Sequence, residues 1–302
     1  MARTQGRAAY VSAPMVRYSK LAFRSLVRDY GVDLCYTPMI LAKEFNRSSL
    51  ARDSDFTTNA RDTPLIAQFG ASCPLEFARA ASLVQPYVSG VDLNCGCPQS
   101  WAFQEGLGAS LMRDRGHVSE LVKQAKERCG KDFCVSVKIR IHADLRDTID
   151  FVKTVEAAGA DFITVHGRLP HQRSSTPSSL SAIKLVKNHT SVPVLANGDV
   201  FSLSDVHKII EETGVDGVMA ARGLLETPAL FAGYTSTPTE AVTKFMNNAM
   251  RCPLPHKLLL HHLSEMTGTL LTKKERAKMM DCRDTIALID WLDENIDIQR
   301  PI

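Results

Sequence analysis

From residue 10 to about residue 220 the chain alternates short apolar runs with amphipathic stretches, and this alternation restricts its possible folds more than any other feature. Eight strands are predicted, at 10–13, 34–36, 65–69, 91–94, 134–139, 162–165, 192–196 and 217–220. Helical patterns lie between most of them, at 21–30, 75–84, 118–126, 149–157, 181–187 and 203–211. Strands that alternate with helices build a parallel sheet. Eight of them over this length match a (β/α)8 TIM barrel, usually about 250 residues long. An open doubly wound sheet is the alternative, but no Gly-x-Gly-x-x-Gly follows the first strand, so its dinucleotide fingerprint is missing. Pro228, Gly233 and the polar stretch 235–239 mark a boundary. Beyond it, 241–250, 256–270 and 273–294 read as helices. The expected class is α/β: a barrel at 10–235, a small C-terminal all-α helical domain at 239–302, and a disordered N-terminus at 1–9.

Composition narrows the setting. With 44% hydrophobic and 23% charged residues the chain is globular. No apolar run approaches the ~18 residues of a membrane span, and no apolar signal core follows Met1. The eight cysteines are mostly scattered singly, which suits a reducing compartment, and we expect a cytoplasmic or nuclear monomer that binds neither membrane nor metal. A net charge of +3 permits a nucleic-acid partner without arguing for one.

In a barrel every strand ends in one shared mouth, so the residues that close the strands are read together. Here they are Pro14 and Met15, Gln68, Asn94 and Cys97, Lys138 and Arg140, His166, Asn197 with Asp199, and Arg222. The turn Asn94-Cys95-Gly96-Cys97-Pro98 is the most specific. Pro98 bars the strand from continuing and leaves an amide and thiols at its end. A thiol stays mostly protonated near neutrality and can act as an acid. Half of a zinc site is the competing reading, but no second close Cys or His pair stands nearby. Cys95 shares the parity of Leu93 and is expected in packing; Cys97 lies past the strand.

The loops after the last two strands, Asn197-Gly198-Asp199 and Ala221-Arg222-Gly223, stand where barrels bind phosphate. Arg222 can form a bidentate pair with an anion. Lys138 can stabilise negative charge on a bound ring, although a lysine snorkelling to solvent is the plainer account. His166 reads equally as a satisfied core histidine, and Gln68 suits the edge of a heterocycle. FMN meets these requirements together; a sugar phosphate gives Lys138 and Gln68 no common planar partner.

The set Ala13-Pro14-Met15, Gln68-Phe69-Gly70, Asn94-Cys95-Gly96-Cys97-Pro98, Gly106-Leu107-Gly108-Ala109, Lys138-Ile139-Arg140, His166-Gly167-Arg168, Asn197-Gly198-Asp199 and Arg222-Gly223 resembles the flavin-dependent tRNA-dihydrouridine synthases, in order and at family spacings over residues 10–235. The type acting on uridines 20a and 20b is the most similar. The resemblance implies that Pro14, Met15 and Val16 contact FMN, and that Gln68, Lys138 and His166 hold its ring system. It gives Asn197, Gly198, Asp199, Ala221 and Arg222 the ribityl phosphate end, Asn94 and Arg140 the substrate, and Cys97 the proton donation. NADPH or NADH would be a transient hydride donor. Ala221 departs from the pattern, standing where many relatives carry glycine before the arginine, and the loop 169–179 matches no family feature.

The helical tail is basic from Lys244 to Arg283 and acidic beyond, with His256, His261 and His262 as further donors. A solvated helical face is the plainer reading; segregation of sign favours a phosphate-binding surface, making tRNA the expected partner. Rival functions are an FMN barrel acting on a free pyrimidine, similar to dihydroorotate dehydrogenase, and a non-catalytic RNA-binding barrel.

Overall fold

The computed structural model describes residues 6–296 and residue 298. Its strands are β1 (Ala9–Ser12), β2 (Leu34–Tyr36), β3 (Ile40–Leu41), β4 (Leu65–Gly70), β5 (Gly90–Cys95), β6 (Cys134–Arg140), β7 (Phe162–His166), β8 (Val194–Asn197) and β9 (Gly217–Ala220). All pairings are parallel. Because β2 pairs with both β1 and β4, eight strands close into the predicted barrel, and the two-residue β3 only extends the end of β4. Each predicted strand is present with its ends shifted by two residues or fewer.

Strand alternation divides the apolar side chains into two sets. Val91, Leu93 and Cys95 of β5 join the main core against the helices. Val11, Leu34, Tyr36, Ile66, Phe162, Leu195 and Met219 form a separate cluster inside the barrel. The positions between, such as Asp92 and Asn94, therefore face the interior.

Between the strands lie α1 (Leu21–Arg28), α2 (Ala42–Arg47), α3 (Ser49–Asp55), α4 (Pro74–Val84), α5 (Ser100–Gln104), α6 (Arg115–Cys129), α7 (Leu145–Ala157), α8 (Leu180–His189), α9 (Leu203–Thr213) and α10 (Arg222–Glu226). The short α2, α3, α5 and α10 carry too few turns to leave a periodic trace in the sequence. Local chemistry fixes the longer ones: Ser202 and Asp205 form a reciprocal cap at the start of α9, and Gly214 ends it with φ of 67°.

Two expectations change at the ends of the chain. Of the supposedly disordered 1–9, residues 1–5 lie outside the described residues, but Arg7 pairs with Asp33 at 2.7 Å and lies 3.9 Å from the Tyr10 ring centroid. Ala9 already belongs to β1. The tail is helical as expected, with α11 (Thr239–Arg251), α12 (His256–Met266), α13 (Lys273–Met280) and α14 (Thr285–Ile296). The single segment predicted at 273–294 is two helices, because the N–H of Asp281 caps α13 and the Asp284 carboxylate accepts the Ala287 N–H to start α14. The core does not stop at the boundary: Phe245, Leu263, Met266 and Leu288 join the main cluster of the barrel. His262 sits with its ring centroid 4.9–5.1 Å from those of Tyr18, Phe23 and Phe245, and burial pushes its imidazole down to about 3. It is a neutral packing residue, so the expectation that it donates to phosphate is overturned. No helix among the described residues is long and apolar enough to cross a membrane.

The loop leaving β1 is held by a buried ion pair. Arg24, 1% exposed, donates to Asp62 at 2.9 and 2.6 Å, to the Ser19 carbonyl at 2.5 Å and to the Thr57 carbonyl at 2.6 Å. Arg28 takes the second Asp62 oxygen at 3.1 Å. Ser19 in turn donates to the Ala13 carbonyl and accepts the Met15 N–H, so the pair sets the path of residues 14–16. Removing one partner of such a pair strands buried charge and costs about 3–5 kcal/mol. Asp62→Ala should lower unfolding stability by about that much in a urea titration; a change below about 1 kcal/mol would mean the two guanidiniums find other partners.

Candidate active site

Closure of the barrel brings the C-terminal strand ends into register. Asn94 lies opposite Lys138, Arg140 opposite His166, and His166 opposite Asn197. Pro14–Val16 follow β1, where the Ala13 N–H donates to the Ala220 carbonyl at 2.9 Å and so sits beside Ala221. Val16 is 52% exposed. All predicted site residues thus stand at one end of the barrel.

On the β4–β6 side the polar side chains bond to one another. The Gln68 amide NH2 donates to Asp92 at 2.8 Å, and its oxygen accepts from the Asn94 amide at 2.9 Å. The Asn94 oxygen accepts the N–H groups of Gly96 at 3.1 Å and Cys97 at 2.9 Å. Ser136 donates to the other Asp92 oxygen at 2.6 Å. Asp92 and Ser136 were not foreseen in the sequence. Their signal was available: a carboxylate two residues before Asn94 on the same strand shares its inward face. Burial pushes the Asp92 carboxyl up to about 6, with the Ser136 and Gln68 hydrogen bonds opposing it.

Three further contacts fix the thiol turn. The Ala109 N–H donates to the Cys97 carbonyl at 2.9 Å, and Arg140 Nε donates to the Gly96 carbonyl at 3.0 Å. A Cβ at Gly108, whose φ is 62°, would come within 2.5 Å of the Cys97 carbonyl oxygen. That approach explains the glycine in Gly106-Leu107-Gly108-Ala109. Cys97 is half-buried and Cys95 fully buried, as their positions in the sequence imply.

Lys138 donates no hydrogen bond among the described residues. Burial lowers its ammonium to about 8, with Asp92 working the other way. His166 is forced down to about 2, first by burial and then by Lys138, Arg140, Arg168 and Arg222 around it. It is neutral, and its Nε2 faces Arg168 Nη1 at 3.1 Å, so Nε2 accepts and Nδ1 carries the proton.

A cleft of about 230 Å³ opens on the β7–β9 side, lined by Arg140, His166, Asn197, Gly198, Asp199, Ala221 and Arg222 among others. Asn197 donates to the Met219 carbonyl at 3.0 Å. A Cβ at Gly198, where φ is 127°, would meet Ser178 Oγ at 2.5 Å. Arg222 is exposed, 3.7 Å from Asp199 and 5.1 Å from the Phe201 ring centroid. Asp199 is otherwise engaged: its carboxylate accepts from Arg168 at 2.5 and 2.6 Å and from the Ser178 N–H at 2.8 Å.

The loop 169–179 is clamped rather than featureless. Arg168, 2% exposed, donates to the carbonyls of Thr176 and Ser174. Arg140 Nη1 donates to those of Leu169 and Gln172. Arg168 is therefore not available on the rim, and the bonds of Arg140 join this loop to the thiol turn. Among the described residues no group of three or more His, Cys, Asp or Glu side chains is disposed to hold a metal ion.

Comparison with known proteins gives the family of the chain. The dihydrouridine synthase family model matches residues 11–288. The tRNA-dihydrouridine(20a/20b) synthase (NAD(P)+) of Schizosaccharomyces pombe is 49% identical over 98% of this chain and 90% of its own length. The human protein named as its like is 46% identical over 97% and 92%, and the Saccharomyces cerevisiae enzyme 43% over 99% and 83%. Among solved structures, 6-hydroxypseudooxynicotine amine oxidase from Pseudomonas geniculata superposes with a TM-score of 0.56 at 16% identity, over 73% of this chain and 46% of that one. An old yellow enzyme homologue from Zymomonas mobilis gives 0.50 at 8% identity, over 73% and 86%. These two share the fold alone. The matched family model and the near full-length relatives establish that this chain belongs to the dihydrouridine synthase family.

Proposed function

We propose that this chain is a tRNA-dihydrouridine synthase that reduces the 5,6 double bond of D-loop uridines, at positions 20a and 20b, with FMN as cofactor and NADPH or NADH as the source of hydride. The observation that carries the reading is the held thiol: Cys97 stands half-buried at a strand end, its turn fixed by Asn94, Ala109 and Arg140, next to an unbonded Lys138. The 20a/20b assignment rests on the names of relatives more than 40% identical over nearly the full chain.

The residues present fit FMN. Gly198 lets its loop pack closely on Ser178 and His166, and Arg222, exposed in the same cleft, can exchange its 3.7 Å pairing with Asp199 for a phosphate. Asp199 holds Arg168 and the loop rather than facing an anion itself. Lys138 and neutral His166 supply a cation and an Nδ1–H donor for a ring that accepts hydrogen bonds. When bound and reduced by NADPH or NADH, FMN would supply the hydride for uridine C6. Negative charge then grows toward C5 and O4, where the one free N–H of Asn94 can donate to a base carbonyl. Cys97 Sγ–H gives its proton to C5, completing the two hydrogens of dihydrouridine, and recovers a proton from solvent. The uridine must leave its stack, which costs a few kcal/mol and less in a loop than in a duplex.

The tail offers RNA a basic face in this reading: Lys257, Lys273, Lys274, Lys278 and Arg283 are exposed, whereas Arg276 is half-buried and Lys244 pairs with Glu240. We take the protein to act as a cytoplasmic or nuclear monomer.

Wild-type protein with NADPH should form dihydrouridine in tRNA and leave orotate unchanged. Cys97→Ala should keep its flavin yet form product about 10²-fold more slowly or worse, the usual contribution of a positioned acid. Cys95→Ala should retain most activity. Nucleoside mass spectrometry reads both, and wild-type rates in Cys97→Ala would remove the thiol as donor.

The charge on Lys138 is present below about pH 8 and lost above it. Flavin affinity, followed by fluorescence quenching, should therefore weaken as pH rises through 8 to about 9.5. Lys138→Met should bind more weakly at neutral pH and lack this trend. A pH-independent wild-type affinity would show that the ammonium does not face the flavin.

Substituting Lys273, Lys274 and Lys278 together by Ser should weaken tRNA binding and reduce the log–log salt slope by roughly 0.7–0.9 for each lost phosphate contact. Flavin content should not change. An unaltered affinity and slope would make this face merely solvated.

A further inference from the structure

Gln68 and Asn94 are amides, and an amide can turn over and exchange donor for acceptor. Nothing in their own chemistry says which way either faces. The structure supplies the answer from the two ends of the chain they form. At one end stand the backbone N–H groups of Gly96 and Cys97, which can only donate, so the Asn94 oxygen must face them. At the other stands the Asp92 carboxylate, a pure acceptor when ionised, so the Gln68 NH2 must face it. Only with both ends satisfied does the Gln68 oxygen meet the Asn94 NH2, at 2.9 Å. Asp92 is itself oriented by Ser136, at 2.6 Å. It lies within the barrel, 0% exposed, in one row of strand partners with Gln68 and Ser136 and two residues before Asn94.

We propose that Asp92 is a positioning residue for the reaction: through Gln68 it fixes Asn94 with its oxygen on the Cys97 turn and its free N–H toward the mouth. The inference rests on the reading of Cys97 as acid and Asn94 as substrate contact. Without a pure acceptor at 92 the buried Gln68 NH2 has no partner, and Gln68 shifts away from Asn94. Asn94 keeps its oxygen on the Gly96 and Cys97 N–H groups but loses the Gln68 oxygen that holds its NH2, so its free N–H and the thiol turn beside it lose their fixed aim. Buried hydrogen-bonded chains behave as units of this kind, in which one end governs the other. Asparagine at 92 preserves the polarity: its oxygen can accept from Gln68 while its NH2 donates to the Ser136 hydroxyl oxygen.

The test uses the flavin-loaded enzyme in two half-reactions. The first is reduction by NADPH without tRNA, read by flavin absorbance. The second is mixing of pre-reduced enzyme with tRNA, read as dihydrouridine by mass spectrometry. Asp92→Ala should slow the second by at least about 30-fold, a factor within the range of a mis-set acid, and leave the first within about threefold, a difference ascribable to minor repacking. Asp92→Asn should recover at least about a third of the wild-type rate, because it keeps an acceptor for Gln68 while the Ser136 hydroxyl turns from donor to acceptor. Should Asp92→Ala fail to fold, Ser136→Ala removes the anchor behind Asp92 and should slow only the tRNA half-reaction, by several-fold. Equal slowing of both half-reactions, an Asn variant as poor as Ala, or wild-type behaviour in Ser136→Ala and Asp92→Ala would overturn the proposal. Failure of the underlying reading is distinguishable, since Cys97→Ala would then form dihydrouridine at the wild-type rate.

Discussion

The pairing of Cys35 and Tyr36 with Leu65 and Ile66 closes the sheet, and the site depends on that closure. An open sheet of the same strands would leave Ala13 and Gln68 on different edges. Closed, with all strands parallel, it sends every strand end to one mouth and fixes the neighbours by register. Asn94, Lys138 and Thr164 form one row of partners, and Arg140, His166 and Asn197 the next. Gln68, Asn94, Lys138, Arg140, His166 and Asn197, supplied by distant parts of the chain, are thus held on strands, the more exact way to hold such groups, and Cys97 follows one of these strands by two residues. The apolar plug of Val11, Leu34, Ile66, Phe162 and Leu195 keeps the barrel from collapsing under the polar layer above it.

Electrostatics then separates the mouth into two halves. Burial, and then Lys138, Arg140, Arg168 and Arg222 around it, keep the His166 imidazole neutral. Asp199 answers Arg168 directly, and Arg222 more distantly at 3.7 Å. Asp92 answers Lys138 without bonding to it. Positive side chains exceed negative ones, so the site carries repulsion of its own. An anion bound among them relieves that repulsion and stabilises the folded state by mass action. The arginines also differ in task. Arg140 and Arg168 donate to backbone carbonyls and hold loops. Arg222 donates to no carbonyl among the described residues and stays exposed, held only by its 3.7 Å pairing with Asp199 and by the Phe201 ring.

The barrel was legible because its strands are short β-branched runs at regular intervals, and a TIM barrel turns strand ends directly into a list of site residues. Cys95 was assigned to packing by its parity with Leu93, and Cys97 was set apart because it lies past the strand end. What escaped the sequence reading was non-local bonding. Asp92 looked like one more charge in a strand, because its partners Ser136 and Gln68 lie on neighbouring strands. Arg140 was read only as a substrate contact, because nothing in its spacing reveals that the loop 169–179 folds back onto it and onto Arg168. His262 looked like a surface donor in a basic tail, although the aromatic rings that bury it come from 18, 23 and 245. In each case the residue type was read correctly and its partner was missing.

Ala221 shows how such a gap is resolved. From the sequence, alanine in place of glycine before Arg222 threatens to crowd the phosphate loop. The backbone there has φ of −119°, outside the left-handed region that favours glycine. The Ala221 side chain packs against the cluster inside the barrel rather than into open loop space. Two residues on, a Cβ at Gly223 would approach the Val200 carbonyl oxygen to 2.1 Å. Close approach between the loops after β8 and β9 therefore demands glycine at 223 and not at 221. The methyl at 221 adds packing beneath the cleft, and the loop that lines it keeps the path set by Gly198 and Gly223.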